Sequence, residues 1–342
     1  METKLHIKQF ENWGINLNQK PLVIAGPCSA ETEKQTLQSA IELKQIGINI
    51  FRAGIWKPRT RPNTFEGIGS IGLEWMKTVK KETGMLLSTE VANVKHVYES
   101  LKAGIDILWI GARTTANPFA VQEIADALKG VDIPILVKNP VNPDVDLWLG
   151  ALERFNRVGL SKIGAIHRGF SSAEKSIYRN TPLWQIPVEL KTQIPDIPLF
   201  CDPSHIAGKR AFLQDLSQKA IDLNFNGLMI ESHPNPDKAW SDAKQQITAS
   251  DLESLIQNLI VREEKPNGIS LETIEDLRFK IDQCDNELID ILETRMQLSE
   301  SIGLYKKQNN MTILQAGRWE TIINSIIEKS NKKNLTREFV LN

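Results

Sequence analysis

Between Phe51 and Gly67 the chain reads FRAGIWKPRTRPNTFEG, which places Arg52, Lys57, Arg59 and Arg61 within ten residues. Pro58 and Pro62 stiffen the same turn, because each fixes its own φ. A rigid loop dense in cations suits an anionic ligand. Further cations follow other short apolar runs: Arg113, Lys138 and Arg168. Side chains of like charge converging on one partly desolvated pocket repel one another unless anions neutralise them. The ligand expected from these residues therefore carries several negative charges, such as phosphate together with carboxylate. Arginine meets both groups with a planar fork, lysine with a point charge.

A second constellation combines soft and hard donors. Cys28 in GPCS, His205 in DPSH and Glu231 in MIESH each follow an apolar run, and Asp237 and Asp242 both lie in the next loop. Thiolate, imidazole and carboxylate together fit a first-row transition ion better than Mg²⁺ or Ca²⁺. Spacing alone does not choose between the two aspartates.

Both sets need elements that bring distant residues to one place. Eight short runs rich in Ile, Leu and Val supply them: 21–26, 48–54, 85–91, 106–112, 133–139, 162–169, 197–205 and 226–233. They lack strict alternation, as parallel strands buried on both faces do. Amphipathic segments such as 33–47 and 96–104 lie between them, with Gly closing the helical pattern. Eight strand–helix units predict an α/β fold, a (β/α)₈ TIM barrel, whose chemistry gathers where strands end. Cys28, Arg52, Lys57, Glu90, Arg113, Lys138 with Asn139, His167 with Arg168, Asp202 with His205, and Glu231 with His233 all occupy such positions.

After residue 263 the pattern changes. EKPNG (264–268) reads as a linker, and 269–342 shows helical periodicity without strands, a small all-α domain behind the barrel at 1–263. The first helix is expected over about 270–307, a second near 314–330, and a third, incomplete, from near Leu335. A first helix roughly 55 Å long exceeds what a 74-residue monomeric bundle can cover, so its apolar stripe is expected to need another chain, and a homodimer through the helical domain is expected.

Composition narrows the function classes. With 41 basic and 42 acidic residues the net charge is −1, without the basic surplus of a nonspecific nucleic-acid binder. Three cysteines and no apolar run near 18 residues predict a reduced, cytoplasmic setting with no membrane partner.

GPCS, RAGIWKPRT, IGART, VKNP, HRG, CDPSH and ESHPNPDKAWSD occur in this order, and together they resemble the 3-deoxy-D-arabino-heptulosonate 7-phosphate (DAHP) synthases, over residues 18–260. The resemblance implies condensation of phosphoenolpyruvate with erythrose 4-phosphate, the first step of the shikimate pathway. It implies a divalent metal, Mn²⁺ foremost with Fe²⁺, Co²⁺ or Zn²⁺ as alternatives, on Cys28, His205, Glu231 and Asp242. Phosphoenolpyruvate falls to Arg52, Lys57, Arg113, Lys138 and Arg168, and the aldose phosphate to Lys57, Pro58, Arg59 and Thr60. Glu90 is one candidate for handling protons, a bound water another. The related synthases that use arabinose 5-phosphate carry an Asn-containing variant where this chain has KPRT, which favours erythrose 4-phosphate. A barrel that binds sugar phosphates without turnover is the competing class.

DLRFKID, LETRMQLSESIGLYKK and LQAGRWE resemble the all-helical chorismate mutases, implying conversion of chorismate to prephenate by Arg278, Arg295, Lys306, Arg318 and Gln315. The family's intertwined dimer would carry Arg278 into the partner's site. Gln315 and Trp319 stand where many mutases place acidic residues, with Glu320 one place later. A dimerising or regulatory module is the alternative for this segment. The fusion also leads us to expect feedback on the synthase through the helical domain.

Overall fold

The structure, a computed structural model, describes residues 5–15, 21–58, 64–172, 176–262, 271–313, 316–331 and 333. Eight parallel strands close into a barrel in sequence order: β1 (Leu22–Gly26), β2 (Ile50–Arg52), β3 (Leu86–Val91), β4 (Ile107–Ile110), β5 (Ile135–Lys138), β6 (Ile163–His167), β7 (Leu199–Cys201) and β8 (Gly227–Glu231). β1 pairs with both β2 and β8, which closes the ring.

Strand geometry explains the uninterrupted apolar runs. Alternate side chains point to opposite faces, and here both faces are covered. Val23, Phe51, Leu87, Leu108, Val137, Ala165 and Leu228 pack outward in the layer beneath the helices. Their neighbours Ile24, Ile50, Ile107, Trp109, Leu136, Ile166, Phe200 and Met229 fill the interior. A 3₁₀ turn, Phe10–Trp13, joins that inner cluster at the end opposite the strand C-termini, with Phe10 edge-on to Phe200 at 5.6 Å. The interior is thus apolar below and ionisable above.

The strict alternation separates two residues that the sequence reading puts together at the mouth. Arg168 shares the inward parity of Ile166 and lines the pocket described below. His167 points the other way, fully buried beside Phe170, Trp184 and Phe225 at ring distances of 5.7, 5.1 and 6.4 Å.

The chain divides into two compact units, Met1–Glu263 and Glu264–Asn342. In the second, one helix spans Leu271–Gln308 and another Ala316–Asn331. Leu277, Ile281, Leu288, Ile291 and Leu292 along the first are each 55–63% exposed. The expected linker and the expected third helix lie outside the described residues. Among the described residues no helix is long and apolar enough to cross a membrane.

Candidate active site

The mouth of the barrel is built by local devices that the motifs encode. In DPSH, Asp202 caps the short helix Pro203–Ala207: its Oδ1 accepts from the backbone N of His205 at 3.0 Å, with Pro203 at the first helical position. Its Oδ2 accepts from Lys138 Nζ at 2.7 Å and lies 2.7 Å from His205 Nδ1. One carboxylate thus aims a cation and an imidazole. His205 Nε2 is left facing Glu231 Oε1 at 3.7 Å. In VKNP, Asn139 accepts from the backbone N of Arg168 at 2.7 Å and donates to the Gly169 carbonyl at 2.8 Å, tying β5 to the end of β6.

The loop after β8 is held onto the loop after β1. Cys28 N donates to Gln246 Oε1 at 2.9 Å, Gln246 Nε2 donates to the Ser241 carbonyl at 2.8 Å, and the hydroxyls of Ser29 and Ser241 meet at 2.6 Å. Trp240 N donates to buried Glu31 at 2.7 Å, and Glu31 also faces His233 at 3.4 Å. His233 therefore braces the loops and does not face the mouth's open space. This stitching carries Asp242 to Cys28, whose Sγ lies 3.1 Å from Asp242 Oδ2. Asp242 adopts φ +51°, a left-handed conformation rare outside glycine, so the surrounding contacts hold it against local preference.

Cys28, Glu231 and Asp242 bring one sulfur and two carboxylate oxygens within 4.8 Å of one another. With His205 Nε2 facing Glu231, the donor set fits a first-row divalent ion. The electrostatics favour a cation there: burial, then the negative charge of Glu231, pushes the Cys28 thiol well above its ordinary range. Lys57 Nζ, 2.7 Å from Sγ, opposes that shift. Burial alone would raise the Asp202, Glu231 and Asp242 carboxyls. His205 with Lys138 holds Asp202 low, His205 with Arg52 holds Glu231 low, and Arg179 with His205 holds Asp242 low.

Beside this cluster lies a pocket lined by Lys57, Pro58, Glu90, Gly111, Arg113, Lys138, Arg168, His205 and Asp242, with Arg179 at its rim. Burial lowers Arg168 to about 10, and the nearby cations Arg179 and Arg113 act in the same sense. Such crowding calls for an anion. Arg52 is not in the lining. It lies 2% exposed below, with Nη1 donating to Glu231 at 2.8 Å. Burial works against its charge, yet Glu231, Cys28 and Asp202 outweigh that and keep its pKa above the ordinary value. Glu90 accepts from Trp109 Nε1 at 3.2 Å, and only glycine leaves room for it at 111: a Cβ there would run into Oε1 and lie 2.8 Å from Cδ.

Arg59 and Thr60 of KPRT lie outside the described residues. Arg179, which donates from Nη1 to Asp242 at 3.0 Å and to Gln245 at 2.8 Å, was missed by sequence reasoning, as were Gln245, Gln246 and Trp109. Gln245 reaches Glu231 at 2.6 Å. None of these except Trp109 sits in a strand, so no periodicity marks them. In the helical unit Arg278, Arg295 and Lys306 lie on one helix, Arg278 paired with Glu275 at 2.8 Å and Lys306 donating to the Ile313 carbonyl at 2.9 Å. Arg318 is exposed on the next helix, and Gln315 is outside the described residues.

A closed parallel barrel with an S/N/O donor cluster beside a cationic pocket at its strand C-termini defines a TIM-barrel enzyme class suited to anionic substrates. Comparison with known proteins places the chain further. Residues 4–265 match the DAHP synthetase I family and residues 277–342 match the type II chorismate mutases. The chain belongs to the DAHP synthetase I family and carries a C-terminal chorismate mutase type II domain; both domains are those of enzymes of the shikimate pathway. It is similar to the phospho-2-dehydro-3-deoxyheptonate aldolase of Thermotoga maritima, 31% identical over 69% of this chain and 68% of that protein. A crystal structure of that DAHP synthase superposes with a TM-score of 0.64 at 29% identity, covering 71% of this chain and 70% of the other. The 2-dehydro-3-deoxyphosphooctonate aldolase of Dechloromonas aromatica is 26% identical over 76% of this chain and 97% of its own.

Proposed function

We propose that the barrel condenses phosphoenolpyruvate with erythrose 4-phosphate, using a divalent metal on Cys28, His205, Glu231 and Asp242. The observation that carries this reading is the donor cluster lying directly against a pocket with Lys57, Arg113, Lys138, Arg168 and Arg179. The cations bind the phosphate and carboxylate of the enol substrate and offset its repulsion toward a second phosphorylated partner, so the two can be held in attacking geometry. Arg52 keeps Glu231 ionised beneath them. When bound, the metal supplies Lewis acidity at the aldehyde oxygen, where negative charge develops. Lys57, with Nζ 2.7 Å from Cys28 Sγ, adds a positive charge beside the donor cluster. Glu90 holds or moves a proton as water adds and phosphate leaves.

The likeness to phosphooctonate aldolases over nearly their whole length keeps a five-carbon aldose phosphate as the second reading. Phosphate release is measured with each aldose after EDTA dialysis and again after Mn²⁺ is returned, beside metal content of Cys28→Ala. Metal-restored turnover with erythrose 4-phosphate and metal loss in the variant are expected. Turnover only with arabinose 5-phosphate would overturn the substrate, and full turnover without metal would overturn the metal assignment.

In the helical unit, Arg295 and Lys306 stand 11 residues apart, which at about 100° per residue leaves them about 20° from one face. That supports a shared dicarboxylate site, where cations alone suffice for a pericyclic rearrangement. Arg278, Arg318 and Gln315 complete the proposed set. The exposed apolar residues of Leu271–Gln308 support a homodimer through this unit. Feedback from chorismate or prephenate onto the synthase is part of the same proposal; identical responses of the isolated barrel and full chain to prephenate would remove it.

A further inference from the structure

Trp109 occupies the boundary between the barrel's apolar interior and its ionised mouth. Its ring is fully buried and belongs to the inner cluster with Ile107, Leu136 and Ile166. Its Nε1 donates to Glu90 Oε2 at 3.2 Å. The same ring lies 4.8 Å from Arg52 Cζ and 5.9 Å from Lys138 Nζ. One side chain from β4 thus touches a carboxylate from β3 and cations from β2 and β5.

These contacts differ in kind. An indole N–H only donates, so it fixes Glu90 through an acceptor oxygen and cannot itself exchange a proton with the site. Glu90 is confined from the other side at Gly111, where no Cβ intervenes. A carboxylate held between an indole N–H and a bare backbone has little rotational choice. The ring face, meanwhile, attracts desolvated cations, and the attraction grows when water is excluded. Arg52 and Lys138 are both almost fully buried here. The indole therefore favours two neighbouring positive charges that the surrounding apolar residues would not.

We propose that Trp109 is a positioning residue for the condensation: its N–H orients Glu90 toward the pocket, and its ring steadies Arg52 and Lys138 beneath the anionic substrate. It does not line the pocket, so it acts through these three residues. The inference rests on the reading of Glu90 as the proton-handling group.

The test compares full-length wild type with Trp109→Phe, Trp109→Leu, Glu90→Gln and the Trp109→Phe/Glu90→Gln double variant, each metal-loaded. Phenylalanine keeps an aromatic face for the cations and removes the N–H together with part of the indole ring. Glu90→Gln should lower kcat about 100-fold, the scale of a positioned proton-transfer group. Trp109→Phe should lower kcat about 10-fold while KM for phosphoenolpyruvate stays within about threefold, because misplacing a reacting group affects the chemical step and not uniform binding. Trp109→Leu, which removes the ring face, should in addition raise that KM about 10-fold. In the Glu90→Gln background Trp109→Phe should cost little further in kcat, since the carboxylate that the N–H orients is already gone. Gly111→Ala displaces Glu90 without touching the indole and should reproduce the kcat-selective loss if the variants at 109 fold poorly. Wild-type kcat in Glu90→Gln would reject the role given to Glu90. Impairment there with unchanged kcat in Trp109→Phe, or with losses that multiply in the double variant, would reject the role of Trp109 alone.

Discussion

Lowering the pH should unfold this barrel through His167. Burial takes its imidazole from the ordinary 6.5 down to about 3, and Arg168 next to it acts in the same direction. The Pro182 carbonyl and Asp202 pull back, but less. The folded state thus keeps His167 neutral under conditions where the unfolded chain binds a proton there. Stability is unaffected above the unfolded value and is lost progressively as pH falls from 6.5 toward 3. At pH 5 the unfolded imidazole gains about 2 kcal/mol from protonation, and the folded one gains almost nothing. The full difference, reached below pH 3, is about 5 kcal/mol. Replacing His167 by Phe, a ring that fits among Phe170, Trp184 and Phe225, removes the titration and gives up the contact to the Pro182 carbonyl at every pH alike. Urea unfolding followed by tryptophan fluorescence at pH 7 and pH 5 reads the effect. Wild type should lose about 2 kcal/mol more than His167→Phe over that interval. Parallel losses in the two proteins would refute the reasoning, because the imidazole would then titrate alike whether folded or not.

Removing Arg52 as Arg52→Met leaves Glu231 buried without its nearest cation, and unfolding free energy should fall by about 3–5 kcal/mol; a loss below about 1 kcal/mol would show that His205 and Gln245 suffice for that carboxylate. Lys306→Gln should lower mutase kcat about 100-fold, as removal of a charge-stabilising donor does, with condensation unchanged. Loss of both activities together would place Lys306 outside a separate mutase site.

Much of the barrel is readable in the sequence because parallel strands covered on both faces leave a simple mark, a short unbroken apolar run. The strand-end polar groups are readable for the same reason. Facing is harder. Arg168 and His167 are adjacent and both polar, and only counting by twos from Ile166 assigns one to the mouth and the other to the helical layer. Arg52 shows a different limit: its inward parity is legible, but its depth depends on pairing with Glu231, 179 residues away. Arg179 left no signal, since its place is set by contacts to Asp242 and Gln245 from a loop without periodicity. Trp109 reads as an ordinary core residue of an apolar strand, and its chemistry emerges only from what stands around it.

The hydrogen bond between Cys28 and Asp242 spans 214 positions of the chain, from the first barrel loop to the last. No fragment ending before β8 can assemble the sulfur with its two oxygens. A nascent polypeptide emerging from the ribosome would thus expose a lone thiol for most of its synthesis and gain a chelating site only when the ring shuts. The proposed ion site and completion of the fold therefore arrive as a single late event, and a half-made barrel lacks the two oxygens that the thiol needs beside it.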